Sequence, residues 1–229
     1  MKLSIIIPAF NEENTIEEII KRVENISLPI EKEIIVINDG SSDGTNKKLG
    51  QLKEEFNFIL IEHKQNQGKG MAIRTCLSKA TGDFVLIQDA DLEYDPIDYQ
   101  RLLDCALKNN AEVVYGSRNL NSKNKFSHLS FYLGGMVLTW MVNLLYGINI
   151  TDEATCYKMF KTELLRSLNL ICKRFEFCTE VTVKIAKRGI KIYEVPINYF
   201  PRHKKEGKKI KWKDGFLAAW ILIKYKFVD

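Results

Sequence analysis

The sequence predicts an α/β fold in which a mostly parallel sheet is flanked by helices. Short runs rich in β-branched residues alternate along the chain with segments of helical periodicity. These runs are apolar throughout and lack the polar alternation of a half-exposed strand, so the sheet is expected to be covered on both faces. The 229 residues suffice for one large domain and are too few for two comfortable ones, so we expect residues 1–229 to form one domain.

The first predicted strand is residues 3–7, LSIII. This apolar stretch is too short for the apolar core of a secretory signal, so we expect it to be a buried strand. A helix should follow, with Asn14 as its N-cap and Glu17 completing a capping box. The apolar face of this helix would consist of Ile16, Ile19, Ile20 and Val23.

Four further strands are predicted at residues 33–38, 58–62, 84–88 and 111–117. The sequence predicts a helix after each of the first three of them. One covers about residues 43–56, the next follows the segment QNQGKG, and the third begins near Pro96, a residue that suits the first turn of a helix.

Polar clusters follow four of the five predicted strands. They are PAFNEE after the first, NDGSSDG after the second, QDADLE after the fourth and GSR after the fifth. If polar loops simply followed strands, similar clusters should precede them, but the amino ends SLPIEK, EEFN, ATGD and KNNA are ordinary turn sequences. Ligands of parallel sheets bind at the carboxyl ends of the strands. The pattern therefore predicts a binding site at that edge.

The acidic segment after the fourth strand places Asp89, Asp91 and Glu93 at alternate positions. Buried carboxylates without a partner would cost several kcal/mol each or shift their pKa. A hard divalent cation would compensate them, and carboxylate oxygens suit Mg²⁺ or Mn²⁺. The alternative is an acidic surface loop, because an acid-x-acid pattern alone is a weak motif.

Charge is distributed unevenly along the chain. Residues 1–120 hold 14 Lys and Arg against 20 Asp and Glu, a net charge of −6, whereas residues 121–229 hold 20 against 9, a net charge of +11. The basic half suggests a phosphate, a nucleic acid or a membrane surface as a partner, unless it is only a solvated lysine face. The five cysteines form no CxxC pair, which favours a reducing compartment over a disulfide framework or zinc site.

The motifs taken together resemble family 2 glycosyltransferases with the Rossmann-like GT-A fold. PAFNEE, VINDGSSDGT, QNQGKGMAIRTCL, GDFVLIQDADLEYDP and YGSR carry this resemblance in order over about residues 3–120. In the second half DEATCYKMF, FEFCTEV and YEVPINYFPRHKKEGKKIKWKDG resemble the dolichyl-phosphate and polyprenyl-phosphate mannose and glucose synthases. The resemblance implies that residues 1–120 bind a GDP- or UDP-linked sugar and residues 121–229 bind the acceptor.

The resemblance also implies roles for individual residues. Asp91 would be the principal ligand of Mg²⁺ or Mn²⁺, with Asp89 and Glu93 contributing, and Asp89 and Asp91 would be catalytic together with Arg118. The donor would be bound by Pro8, Phe10, Glu12, Asp39, Gly68, Lys69 and Asp89. In this set Asp39 would accept hydrogen bonds from the base.

A polyprenyl phosphate acceptor needs no general base, because its oxygen is already anionic. Cations must position it, and the candidates are Arg118, Arg202 and Lys211. A soluble saccharide or protein hydroxyl acceptor would need a base, for which Asp152, Glu176 and Glu180 are available. A third possibility is a non-catalytic protein that binds nucleotide-sugars or nucleic acid. For nucleic acid the tail lacks stacking aromatics apart from Trp212, so no nucleic-acid partner is expected.

Two apolar segments suggest contact with lipid. Residues 129–151 contain no charge, but several glycines and Asn143 dilute them, and a crossing would put the two halves of the site on opposite sides of the bilayer. We expect a helix buried partly in protein and partly in lipid. Residues 216–227 follow seven Lys and Arg between positions 202 and 213, and they suit either a monotopic anchor or a core helix. The expected location is cytoplasmic, on the inner face of the membrane.

Overall fold

A computed structural model describes residues 1–126, 129–202 and 212–228. Its centre is a seven-stranded sheet in the order β3-β2-β1-β4-β6-β5-β7. The strands are β1 (Lys2–Ala9), β2 (Glu31–Asn38), β3 (Ile59–Glu62), β4 (Phe84–Ile87), β5 (Val113–Ser117), β6 (Lys158–Lys161) and β7 (Ile192–Pro196). All neighbouring pairs are parallel except those of β6, which runs antiparallel to both β4 and β5.

Helices cover the sheet, as the apolar strands predict. They are α1 (Ile16–Asn25), α2 (Thr45–Glu55), α3 (Lys69–Leu77), α4 (Tyr99–Asn109), α5 (Leu129–Tyr146), α6 (Thr162–Ser167), α7 (Phe177–Lys187) and α8 (Trp212–Phe227), and a 3₁₀ turn at Pro96–Asp98 precedes α4. The central strand β4 is buried along its whole length, as expected for a strand covered on both faces, whereas the edge strand β3 has no fully buried residue.

The five predicted strands are all confirmed, with ends that differ by a few residues. The predicted apolar face of α1 is also confirmed, since Ile16, Ile19, Ile20 and Val23 are its buried residues. The predicted capping box is wrong. The N-cap is Thr15, which makes no side-chain cap bond, because its hydroxyl is directed to the carboxylate of Glu12 at 2.9 Å.

Two strands have no counterpart among the predictions. Strand β6 carries Lys158, whose side chain is fully buried and donates to the carbonyl oxygens of Glu153 and Thr155 at 2.7 and 2.6 Å. Its ammonium also lies 4.3 Å from the centre of the Tyr115 ring. A lysine in a four-residue strand hides the apolar pattern by which buried strands are recognised.

The turn after β2 packs directly on a second segment of the chain. Gly40 has a φ of +69°, and a Cβ at this position would collide with the backbone of Gln65 and Asn66. The absence of a side chain therefore allows the end of β2 and the loop before α3 to touch.

Replacing Gly40 by alanine should lower the free energy of unfolding by about 2 kcal/mol or more. The left-handed backbone alone costs an L-residue roughly 1–2 kcal/mol, and the collision with residues 65–66 adds to it. Gly189→Ala is the matched control, because Gly189 has a φ of +67° but no atom within 4 Å of the added Cβ. Urea denaturation of both variants measures the difference, and equal losses would contradict the close contact.

Candidate active site

The predicted site residues meet in one cavity of about 1300 Å³ at the carboxyl edge of the sheet. Its wall includes residues that follow β1, β2, β4 and β5, the start of α3, and parts of α5 and α8. The predicted residues in this wall are Pro8, Phe10, Glu12, Asp39, Gly68, Lys69, Asp89, Asp91, Glu93, Arg118 and Arg202. Lys211 lies outside the described residues.

The acidic segment after β4 is balanced by basic side chains. Asp89 forms an ion pair with Lys69 at 2.5 Å, and Asp91 forms one with Arg202 at 2.9 Å. Glu93 accepts hydrogen bonds from the Tyr199 hydroxyl at 3.0 Å and from the backbone amide of Arg202 at 2.8 Å. Each of the three carboxylates therefore has a partner elsewhere in the chain. The negative charges of the segment are thus at least partly compensated within the protein.

This compensation is incomplete at Asp91. Burial raises the pKa of Asp91 to about 7, and the negative charge of Asp89 adds to the rise while Arg202 opposes it. Burial also acts to raise the pKa of Asp89, but the Lys69 ammonium outweighs it, so that this pKa lies below its ordinary value. Asp91 is thus the carboxylate of the pair that most needs a further positive charge.

The donor chemistry of this wall fits a hard divalent cation held partly by a ligand. Among residues 1–126, 129–202 and 212–228, no group of three or more His, Cys, Asp or Glu side chains is arranged to hold one ion. Mg²⁺ is ordinarily held by one or two carboxylates together with substrate phosphates, and Asp91 and Asp89 supply such a set. The contribution of Glu93 stays a prediction.

A buried amide fixes the backbone at the start of the acidic segment. Gln88 is fully buried, and its side-chain oxygen accepts from the hydroxyls of Tyr99 at 2.6 Å and Tyr157 at 2.5 Å. Its amide nitrogen donates to the carbonyl of Asp89 at 2.8 Å. The amide therefore ties the turn that carries Asp89 to two tyrosines of the core. In the sequence, Gln88 is the last residue of the predicted fourth strand and the first of the polar cluster QDADLE, and no pattern there indicates its contacts with the two tyrosines.

Arg202 connects the segment after β1 with the acidic segment after β4 in the cavity wall. Its guanidinium donates to Glu12 at 3.1 Å as well as to Asp91, and the amide of Phe200 donates to the carbonyl of Glu93 at 2.8 Å. The segment before residue 203 is thereby fixed on the acidic turn. No pattern in the sequence predicts the pairing of Arg202 with Glu12, and the predicted contact of Arg202 with an acceptor phosphate stays a prediction.

Asp39 is almost completely buried, and its carboxylate is fully engaged. One oxygen accepts from the His63 ring at 2.7 Å and the Gln67 amide at 2.9 Å. The other accepts from the Asn66 side chain at 3.0 Å and the Gly68 amide at 2.8 Å. Four hydrogen bonds use the acceptor capacity of a carboxylate. Asp39 therefore anchors residues 66–68, and its predicted contact with a base stays a prediction.

Arg118, after β5, is held by a bidentate contact. Its Nε and Nη2 atoms each donate to the Asp152 carboxylate at 2.7 Å, and its guanidinium lies 5.1 Å from the centre of the Tyr199 ring. Asp152 is thus the counter-ion that orients Arg118 in the cavity wall.

The other two candidate bases are committed elsewhere. Glu180 accepts from the amides of Ile171 at 2.9 Å and Cys172 at 2.8 Å and from the Tyr225 hydroxyl at 3.0 Å, and it pairs with Lys184 at 2.9 Å. Glu176 accepts from the amides that precede α7. Neither lies in the described part of the cavity wall. Of the three candidate bases, only Asp152 lies among the described residues of the cavity wall, where it is paired with Arg118.

The far end of the cavity is apolar and continues onto the surface. Helix α5 exposes Leu133, Met136, Val137, Trp140 and Leu144, and helix α8 exposes Phe216, Trp220, Ile223 and Phe227. Successive members of each set are three or four residues apart, except for the adjacent Met136 and Val137, so each set forms a stripe along its helix. Trp140 is 63% exposed and Trp220 is 59% exposed. We call these two stripes the apolar face.

Helices α5 and α8 hold each other in place. The Tyr146 hydroxyl donates to the carbonyl of Leu222 at 2.7 Å, and Lys226 donates to the carbonyl of Leu145 at 2.5 Å. In the described ranges of the chain, no helix is both long and apolar enough to cross a bilayer.

Comparison with known proteins identifies the class to which this fold and site belong. The sequence model of glycosyl transferase family 2 matches residues 4–168, and the chain therefore belongs to this family. Its structure resembles that of glucosyl-3-phosphoglycerate synthase from Mycobacterium tuberculosis in complex with UDP, with a TM-score of 0.75, 18% identity, and coverage of 100% of this chain and 81% of that one. This likeness confirms the predicted GT-A fold.

Sequence relatives confirm the resemblance to lipid-phosphate sugar transferases. The chain is 32% identical over 212 residues to a UDP-N-acetylglucosamine–dolichyl-phosphate N-acetylglucosaminyltransferase of Methanococcus voltae, covering 84% of this chain and 83% of the relative. It is 27% identical over 212 residues to a dolichol-phosphate mannosyltransferase of Pyrococcus furiosus, covering 91% of this chain but only 59% of that relative.

Proposed function

We propose that the protein transfers a hexose from a nucleotide diphosphate sugar to a polyprenyl phosphate, with inversion at C1. The observation that carries this proposal is the composition of the cavity. Its wall contains the acidic residues after β4, three arginines (Arg118, Arg174 and Arg202) and residues of the apolar face, among them Met136 and Phe216. An acceptor with a charged head group and a hydrocarbon chain would match this combination of surfaces. The dolichyl-phosphate transferases among its relatives support the same acceptor class.

The donor would bind at the ends of β1 and β2 and at the start of α3. Pro8 and Phe10 would line the nucleoside pocket together with Glu12, while Gly68 lets the backbone approach the nucleotide and Lys69 offers it a positive charge. Asp89 and Asp91 would hold a Mg²⁺ or Mn²⁺ ion, with Glu93 beside them. Such an ion, when bound, supplies positive charge to the leaving nucleoside diphosphate. The Mycobacterium tuberculosis synthase in complex with Mn²⁺ and UDP supports this cofactor class.

The acceptor would bind at the basic side of the cavity. Arg118, Arg202 and Lys211 would neutralise its phosphate, so that an anionic oxygen can approach C1 from the face opposite the diphosphate. As the new bond from that oxygen to C1 forms, the bond from C1 to the diphosphate oxygen breaks, and its electron pair leaves with the nucleoside diphosphate. No proton has to be removed from the acceptor. This division assigns donor binding to residues 1–120 and acceptor binding to residues 121–229.

The experiment that tests this function identifies the product. Purified protein is incubated with polyprenyl phosphate and, separately, radiolabelled GDP-mannose, UDP-glucose and UDP-N-acetylglucosamine. One of these donors should transfer label to the organic phase as a sugar phosphodiester that mild acid cleaves. Label that stays in water on a free saccharide, or no transfer from any donor, would overturn the proposal.

Asp91→Asn should reduce turnover about 100-fold or more while the protein stays folded. The substitution removes the buried negative charge that would hold the cation beside the diphosphate, and losing one such electrostatic contact typically costs this much. Product formation at saturating donor measures the effect, and EDTA should act similarly on the unaltered chain.

Asp95→Asn is the matched control for this prediction. Asp95 lies four residues further along, caps the amide of Ile97 at 3.1 Å and is not among the residues of the cavity wall. Its loss should leave turnover nearly unchanged. Full activity of Asp91→Asn, or of the unaltered chain in EDTA, would contradict the assignment.

The apolar face would seat the protein on the cytoplasmic surface of a membrane, where a polyprenyl phosphate resides. Exposed apolar stripes on two helices can lie in the interface, and basic residues near anionic lipid add about 1 kcal/mol each. The five cysteines are unpaired, which suits a reducing compartment.

Leu144→Asp should lower binding to vesicles of anionic phospholipid about tenfold. An exposed leucine that enters lipid contributes up to roughly 2 kcal/mol, and a carboxylate in its place would oppose binding. Leu107→Asp provides the control, because Leu107 is also exposed but lies on α4, outside the apolar face. Flotation with vesicles measures the bound fraction. If both variants lose binding equally, the apolar face is not the contact surface.

A further inference from the structure

His63 links the end of the sheet to the start of α3. Its backbone amide donates to the carbonyl of Asn38 at 2.9 Å, which continues the pairing of β3 with β2 by one residue. Its Nδ1 atom lies 2.7 Å from a carboxylate oxygen of Asp39, and its Nε2 atom lies 3.1 Å from the Thr75 hydroxyl. The side chain is only 9% exposed, so both contacts are shielded from solvent.

The hydrogen on the ring can be assigned from these partners. A carboxylate can only accept, so Nδ1 carries the hydrogen and donates it to Asp39. In a neutral ring Nε2 then accepts from the Thr75 hydroxyl. A hydrogen bond at the second ring nitrogen fixes the orientation of an imidazole. The ring of His63 therefore has a defined donor pointing at one defined oxygen of Asp39.

Residues 65–68, which we call the glycine turn, are clamped from two sides. On one side Gly40 touches the backbone of Gln65 and Asn66, and Asp39 accepts from residues 66, 67 and 68. On the other side a Cβ on Gly68 would lie 2.5 Å from the carbonyl oxygen of Lys173. The direction of the Asp39 carboxylate therefore decides where the turn sits.

The position of the glycine turn matters for the cavity because α3 begins at its end. Gly68 is the N-cap of α3, and Lys69, the first helical residue, forms the ion pair with Asp89. A shift of the turn would move Gly68 and Lys69 together in the cavity wall. A change at His63, which is not in that wall, would thus reach the phosphate-binding end through Asp39.

We propose that His63 is a positioning residue for the donor site. Its Nδ1 hydrogen fixes the Asp39 carboxylate in the orientation that holds the glycine turn, and the turn in that position binds the nucleoside diphosphate. The proposal deepens the proposed function and rests on it. His63 itself touches neither the nucleotide nor the reacting atoms.

Two isosteric variants separate this role from simple packing. The amide nitrogen of asparagine occupies the place of Nδ1, whereas that of glutamine occupies the place of Nε2. His63→Asn should keep the donor to Asp39 and bind UDP or GDP within about threefold of the unaltered chain. His63→Gln should lose it and bind about tenfold more weakly, as expected if the turn is in its binding position in only about a tenth of the molecules. Isothermal titration calorimetry with UDP and with GDP measures both.

Kinetics and hydrogen exchange supply two further readouts. In His63→Gln the KM for the sugar donor should rise by the same factor while kcat changes little, because a misplaced turn removes uniform binding. In the absence of nucleotide, the amides of Gln67 and Gly68 should exchange faster in His63→Gln than in His63→Asn. The exchange measurement needs no ligand, and it also reports whether each variant is folded elsewhere.

The outcomes distinguish this proposal from the proposed function. If the unaltered chain binds neither UDP nor GDP, both are overturned. If it binds one of them and the Asn and Gln variants bind it equally well, or protect the amides of residues 67 and 68 equally, the positioning role of His63 alone is overturned. Weaker binding and faster exchange confined to His63→Gln would support it.

Discussion

The crowding of negative charge at the carboxyl edge of the sheet is the constraint on which the rest of the site depends. Eight carboxylates are among the described residues of the cavity wall, and five of them belong to the acidic half of the chain, those of Glu12, Asp39, Asp89, Asp91 and Glu93. Like charges in a poorly solvated space repel strongly, so each needs a partner. Asp89 and Asp91 form ion pairs with Lys69 and Arg202, respectively. Asp39 instead accepts hydrogen bonds, among them one from the amide of Gly68. The same partners join β4, α3 and the segment before residue 203 into one wall.

The two halves of the chain meet at this wall. Lys69, in the acidic half, pairs with Asp89, and the basic half contributes cations that include Arg118 and Arg202. Each arginine is already paired, with Asp152 and with Asp91 and Glu12, so neither is a bare charge in the cavity.

The sequence predicts the first half of the fold well, because apolar strands and turn residues there agree with one another. It does not predict β6, since the buried Lys158 interrupts the apolar pattern of a buried strand. It also misplaces the cap of α1, where the Thr15 hydroxyl donates to the Glu12 carboxylate instead of capping the helix. The order of the motifs predicts that the acids after β4, Asp39 and Lys69 lie in one site. Pairings across long separations, such as Arg202 with Glu12, leave no local pattern. For His63 the sequence contains only a weak signal, a polar residue directly after the third strand.

Titration of the protein with Mn²⁺, followed by electron paramagnetic resonance, tests whether the acidic edge completes a cation site only together with a donor diphosphate. We expect weak Mn²⁺ binding to the protein alone and binding at least about tenfold tighter in the presence of UDP or GDP, because one or two carboxylates and the phosphates share the ion. Equal Mn²⁺ affinity with and without either nucleotide would contradict it.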